Sequence, residues 1–214
     1  MIIDMHIHEQ TYSFDSFMKL GDIIEKSKAM GLDGVCITDH DSNGLRSFAE
    51  EMSEKTGFPV FVGAEILTFE GDILVFGVDK LPEKKLHAHE LLQYVHKEGG
   101  VMISAHPYRK NNRGMEDGVR SKIALDGIEG LNGSTPEELN LKACDAGIYK
   151  NIPVFGGSDA HRLDRVGKYA TKFPKNITRM EELVAAIKEG NTKPVYYDEG
   201  IYREFQYQRL LKAV

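Results

Sequence analysis

The chain has 214 residues, a hydrophobic share of 41%, a charged share of 28% and a formal net charge of −6. This is the composition of a globular domain that can bury a core without disulfides. It offers no basic face for nonspecific nucleic-acid binding and no run of about 20 apolar residues that could span a membrane. Cys36 and Cys144 fall in apolar runs and read as buried thiols of a reducing, cytoplasmic setting. The amino terminus lacks the basic flank and apolar stretch of a signal peptide.

In chain order, short apolar runs alternate with helical patterns. Residues 1–7 read as a strand, and 17–30 as a helix with apolar Phe17, Leu20, Ile23, Ile24 and Ala29, stopping at Gly31. A strand at 34–38 precedes a helix at 45–55. Residues 60–64 read as the next strand, with an extra strand at 72–78 in a hairpin with it, then a helix at 87–98 halted by Gly99. After a strand at 101–105, the Asn-, Arg-, Lys- and Gly-rich segment 108–118 reads as a mobile loop. Strands at 127–131 and 154–157 flank a helix at 139–146 that halts at Gly147. Capping boxes open that helix (Thr135 to Glu138) and the last one (Thr178 to Glu181, ending at Gly190). The acidic, aromatic tail, 196–214, carries no motif. Most strand runs are continuously apolar, as in parallel strands buried on both faces. The alternation therefore predicts one domain over 1–214, a parallel sheet with helices outside, either a barrel or a doubly wound sheet.

Five of the eight histidines stand at the ends of predicted strands or just after them: His6, His8, His40, His106 and His161. Glu65 takes the matching place after a further strand. In a barrel of parallel strands the carboxyl ends share one face, so these distant residues would converge on one mouth. His6 and His8, at i and i+2 of a strand, point to the same side, with Met5 and Ile7 facing the outer layer. Imidazole with carboxylate suits zinc, manganese or iron rather than calcium, and the lack of thiolate pairs favours a catalytic over a structural site. His87, His89 and His96 read instead as solvated helix residues.

The motifs DMHIH (4–8), YSFDS (12–16), ITDHD (37–41), GAE (63–65), AHP (105–107) and GSDAH (157–161) resemble, in order and spacing, those of the PHP family, named for polymerase and histidinol phosphatase. The resemblance spans residues 1 to about 170. It implies a distorted (β/α)7 barrel carrying two or three divalent ions (Mn, Zn or Fe) at the strand carboxyl ends. It also implies hydrolysis of phosphoesters on a small phosphorylated metabolite, a nucleotide or an oligonucleotide end. By position, His6, His8, Glu65 and Asp159 would hold a first ion. Glu65 would bridge to a second, completed by His106 and a polar group near Asn132. His40, His161 and Asp15 would hold a third. Where relatives offer His or Cys, this chain has Asn132, and where some place a histidine in the first loop it has Asp15. Asp39 and Asp4 read as groups that orient the ligating imidazoles, Asp4 equally as a strand-start hydrogen bond.

Two ions sharing a bridging hydroxide can attack a phosphate ester in line and neutralise the charge that gathers on its oxygens. Arg109, three residues after His106, is the candidate catalytic fork for those oxygens, with Arg113 and Arg162 as alternates. Lys110 and Arg113 could meet a second phosphate, and Tyr108 or Tyr12 could stack on a base. Two other readings stand beside this one. A metal-dependent amidohydrolase would use the same hydroxide on a carbonyl. A non-catalytic PHP module would have lost ligands that this chain retains.

Overall fold

Two sheets, rather than one, are built from the apolar runs. The computed structural model describes residues 1–206; the last residues of the domain expected over 1–214 lie outside the described residues. The strands are β1 (Ile2–Ile7), β2 (Gly34–Ile37), β3 (Val60–Val62), β4 (Ala64–Leu67), β5 (Asp72–Phe76), β6 (Val101–Ser104), β7 (Gly127–Asn132), β8 (Val154–Gly157), β9 (Tyr169–Lys172), β10 (Lys193–Asp198) and β11 (Ile201–Glu204). The helices are α1 (Leu20–Ala29), α2 (Arg46–Thr56), α3 (Ala88–Lys97), α4 (Glu137–Lys150) and α5 (Met180–Glu189).

One sheet runs β11-β10-β9-β1-β2-β3 and the other β4-β5-β6-β7-β8. Pairing is parallel at β1–β2, β2–β3, β6–β7 and β7–β8. It is antiparallel at β4–β5, β5–β6, β1–β9, β9–β10 and β10–β11. The parallel-strand barrel implied by the resemblance is seen in part, as a mixed α/β fold of two facing sheets. No continuous ladder closes them among the described residues. They meet at the isolated bridges Ile7–Ala160 and His40–Glu65.

The cause is local. The single strand expected at 60–64 breaks at Gly63, where an added Cβ would lie 2.5 Å from the Val75 carbonyl oxygen and 2.6 Å from the Phe76 ring. Only glycine lets the chain cross there from β3 into β4. The hairpin of β10 and β11 lies in the tail the sequence reading left without structure. Asp198 pairs with Ile201, and the two intervening residues, Glu199 (φ 46°) and Gly200 (φ 93°), both have positive φ, as a tight two-residue hairpin loop requires.

Three apolar layers follow. Ile3, Met5, Cys36, Phe61, Leu74, Phe76, Ile103 and Phe155 fill the space between the sheets, joined by Leu183 and Ile187 of α5. Helices α1 and α2 cover the first sheet through Leu20, Ile23, Ile24 and Ala49, packed with Ile7, Val35 and Ile37. Helices α3 and α4 cover the second through Leu91, Val95, Ala143 and Cys144. In α1 the buried positions 20, 23, 24 and 27 recur at helical spacing on one face. Met5 does not face the outer layer as expected. The register moves from Asp4–Val35 to Ile7–Ile37, so β1 carries one extra residue, and this bulge turns Met5 inward beside Cys36.

The helix starts also shift. α4 begins at Glu137 after Pro136, because the Thr135 hydroxyl donates to Asn132 Oδ1 (2.9 Å) instead of capping the helix. α5 is capped by Glu182, one residue later than expected, which accepts from the backbone N–H groups of Thr178 and Arg179. The segment expected to be a mobile loop is tied down: Asp72 N–H donates to Arg113 O (2.7 Å), and Tyr108 and Met115 are buried.

Candidate metal centre

The carboxyl ends of β1, β2, β6, β7 and β8 open on one mouth, and the residues read from the sequence meet there. His6 and His8 point to the same side of β1 with their Nε2 atoms 3.0 Å apart. His8 Nε2 lies 3.3 Å from Asp159 and 3.5 Å from Glu65, and His6 Nε2 lies 3.5 and 3.6 Å from the same two carboxylates. Glu65 also contacts His106 Nε2 at 2.7 Å and His40 Nδ1 at 2.8 Å. Asp15 sits between His40 Nε2 (3.2 Å) and His161 Nε2 (3.3 Å). His6, His8, Glu65, His106 and Asp159 are buried, while His40, His161 and Asp15 form the solvent side. His106 (φ 26°) and Asp159 (φ 50°) hold backbone conformations that cost about 1–3 kcal/mol each and that cluster at functional sites.

Four groups of donors have all their ligand atoms within 4.8 Å of one another: His6-His8-Glu65, His6-His106-Asp159, Glu65-Asp72-His106 and His8-His40-His161. Three residues that matter here escape the strand-end motifs. Glu129, buried within β7, accepts from His6 Nδ1 (3.0 Å), the His106 backbone N–H (2.8 Å) and Asn132 Nδ2 (2.9 Å). A carboxylate inside the apolar run IEGLN is the sequence signal for it. Ser13 Oγ lies 3.0 Å from His8 Nδ1 and donates to Asp39 Oδ1 (2.9 Å). Asp72, at the first position of β5, is buried 3.7 Å from His106 Nε2.

The remaining candidates divide. Asp39 reaches His8 through Ser13 rather than directly. Asp4 touches no imidazole: it accepts backbone N–H groups of Ser158 (2.8 Å), Gly167 (3.0 Å) and His6 (3.3 Å), the strand-start alternative. Asn132 is adjacent to the cluster, but its Oδ1 already accepts from Arg109 (2.6 Å), Thr135 (2.9 Å) and the Ser134 N–H (3.0 Å). Arg109 is anchored on Asp159, Asn132 and Thr135. Arg113 donates through Nε to Asp72 (2.6 Å), with Nη2 3.4 Å from His40 Nδ1. Lys110 and Arg162 are exposed, Arg162 on Asp164. Tyr108 is buried, with Lys142 4.0 Å above its ring, so the expectation that it stacks on a substrate base is corrected. His87 and His96 bond Glu70 and Asp126 away from the cluster.

The electrostatics match a cation site. Burial pushes His8 down to about 4, which keeps its imidazole neutral. Burial also opposes the charge on His6, but Glu129, Asp159 and Glu65 outweigh it and hold His6 well above the ordinary range. Burial raises Glu65 and Asp159 less than the surrounding imidazoles lower them, His6 foremost, so both stay ionised. Burial lifts Asp39 to about 6, and burial with the nearby Glu65 lifts Asp72 to about 6. A field that retains a proton on His6 favours a dication in the same place. The donor groups among the described residues are imidazoles and carboxylates without thiolate, the set that suits catalytic divalent ions.

Surface cavities lie both beside the cluster and away from it. One, of about 480 Å³, is lined by Ser134, Thr135, His161, Arg162 and Arg165 beside the cluster. Another, of about 670 Å³, lies among Arg46, Phe61, Glu98 and Arg179 and includes none of the donors. Among the described residues, no helix is long and apolar enough to cross a membrane.

Comparison with known proteins agrees with this geometry. Residues 137–192 match the PHP-associated family model. An uncharacterised protein of Methanocaldococcus jannaschii is 30% identical over an alignment of 143 residues that covers 62% of this chain and 82% of that protein. A two-domain Bacteroides vulgatus protein containing a predicted PHP-like metal-dependent phosphoesterase superposes with a TM-score of 0.73 at 18% identity, over 92% of this chain and 64% of that one. A lesion-specific endonuclease from Pyrococcus furiosus gives 0.66 at 19% identity, over 90% of this chain and 57% of that one. At these identities the two structural likenesses are likenesses of fold. The match to the PHP-associated model and these likenesses of fold agree with the PHP resemblance carried by the sequence motifs.

Proposed function

We propose that the protein is a metal-dependent hydrolase of phosphoester bonds. Its substrate is a small phosphorylated metabolite, a nucleotide or an oligonucleotide end, and it works with two or three manganese, zinc or iron ions. The observation that carries this reading is the convergence of five imidazoles with Asp15, Glu65 and Asp159 at one mouth. His6, His8, Glu65 and Asp159 would hold one ion, Glu65 and His106 a second, and Asp15, His40 and His161 a third. Bound there, dications lower the pKa of water and neutralise charge on a phosphoryl group.

The chain's own residues supply orientation and charge. Asp39 holds Ser13 and Ser13 holds His8 Nδ1, while Glu129 holds His6 Nδ1, so both rings present Nε2 to the mouth. Arg109 is fixed through Nε and Nη2, and its Nη1 makes no hydrogen bond among the described residues, which suits it to a phosphate oxygen. The cavity of about 480 Å³ next to His161 gives room for the rest of the ester, with Arg162 and Arg165 on its wall.

The test is hydrolysis of p-nitrophenyl phosphate and bis-p-nitrophenyl phosphate by protein supplied with manganese, zinc or iron. Metal-dependent release of nitrophenolate is expected, and the preferred compound tells monoesterase from diesterase. Turnover of p-nitroanilide amides with neither phosphoester cleaved would replace this reading with an amidohydrolase.

A further inference from the structure

Asp72 is the buried acid that the strand-end motifs leave unexplained. It opens β5, the strand that runs antiparallel to both β4 and β6. The amino end of β5 therefore lies at the same mouth as the carboxyl end of β6. Along β5, Asp72, Leu74 and Phe76 share one face at period two. Leu74 and Phe76 belong to the layer between the sheets, so Asp72 emerges on that same inner side.

Its carboxylate is fully buried. Oδ2 accepts from Arg113 Nε at 2.6 Å and stands 3.7 Å from His106 Nε2, while Oδ1 hydrogen-bonds to nothing among the described residues. A buried carboxylate oxygen without a donor is costly unless a cation serves it. Glu65, His106 and Asp72 each bring one ligand atom within 4.8 Å of the others. The competing donor, Asn132 Oδ1, already accepts three hydrogen bonds and is held by Arg109.

We propose that Asp72 is a metal ligand, completing with Glu65 and His106 the ion position for which Asn132 stands in the sequence pattern. Oδ2, the oxygen nearest His106, stays on Arg113, whose guanidinium keeps the carboxylate in place, and the unpartnered Oδ1 leaves the group free to turn toward the ion. This inference rests on the metal-centre reading above and adds a ligand to it.

The experiment counts ions by elemental mass spectrometry and measures their affinities by chelator competition. It compares the wild type with D72N, D72E, R113Q and N132A, each checked for fold by circular dichroism. D72N is expected to lose one ion per chain, or to weaken one class of sites by at least about tenfold, with the remaining sites unchanged. D72E should recover much of that loss, N132A should keep the wild-type count, and Co(II) substitution in D72N should change the visible absorption of one ion only. D72N with wild-type count and affinity would overturn the Asp72 assignment while leaving the metal centre intact. Equal loss in R113Q and D72N would assign the effect to the ion pair and also overturn it. A wild-type protein that takes up no ion would remove the metal centre, and Asp72 with it.

Discussion

The Nδ1–H of His6 donates to Glu129 Oε1 at 3.0 Å, in the buried interior of the mouth. This hydrogen bond fixes the tautomer in which Nε2 carries the lone pair, the form that binds a cation, and locks the ring toward Glu65 and Asp159. The same carboxylate accepts the backbone N–H of His106, so one side chain aligns two ligand positions on different strands. Replacing Glu129 with Gln keeps the shape but weakens this acceptor. E129Q is expected to lower metal affinity about 10–100-fold with an unchanged circular dichroism spectrum, read by chelator competition. Unaltered affinity would show that His6 is oriented by packing alone.

Gly157 makes the close approach of β8 to His6 possible. An added Cβ would lie 2.6 Å from His6 Cβ, 2.8 Å from Glu129 Oε1 and 3.0 Å from His6 N. G157A should therefore destabilise the protein by about 1–3 kcal/mol and displace His6, so that metal content falls as well. Thermal melts with elemental analysis check both effects together.

Arg109 carries its charge on the wall of the site, fixed by three partners. R109A is expected to raise KM and lower kcat for phosphoesters, by about 100-fold in kcat/KM, with metal content retained. R109K should restore only part, because an ammonium lacks the planar fork. Steady-state kinetics at saturating metal decides it, and unchanged constants would remove Arg109 from the site.

Proton competition gives the pH dependence a definite sign. His6 is held well above its ordinary pKa, chiefly because Glu129 and Asp159 overcome the effect of burial, so the ion-free protein keeps a proton there near neutrality. A ligating imidazole must be neutral, so metal uptake expels that proton and apparent affinity rises with pH through and above neutrality. Calorimetry at pH 7 in two buffers of different ionisation enthalpy should show release of roughly one proton per chain. A pH-independent affinity would contradict the ligand role of His6.

Much of the site is legible in the sequence because the donors follow a rule that needs no coordinates. His6 and His8 share a face at period two, and His40, His106, Asp159 and His161 follow strand carboxyl ends. The rule fails where the chain reverses. Asp72 stands at the amino end of an antiparallel strand, and Glu129 lies inside a strand, so neither is found by looking after apolar runs. The fold shows the same limit. Apolar runs locate α1 to α5, but Gly147 does not stop α4, which continues to Lys150 and ends at Asn151 in the left-handed region, and the split into two sheets depends on the crossing at Gly63 against Val75 and Phe76. The β10–β11 hairpin is written in Glu199-Gly200, yet its flanks alternate too weakly to stand out as strands.

These histidines and carboxylates are expected to hold divalent ions, and elemental mass spectrometry on protein purified without chelator is the decisive experiment. Two or three manganese, zinc or iron ions per chain are expected, falling in H6A and H106A variants. Protein that carries no transition ion and takes up none when supplied with manganese, zinc or iron would show that the cluster is not a metal centre.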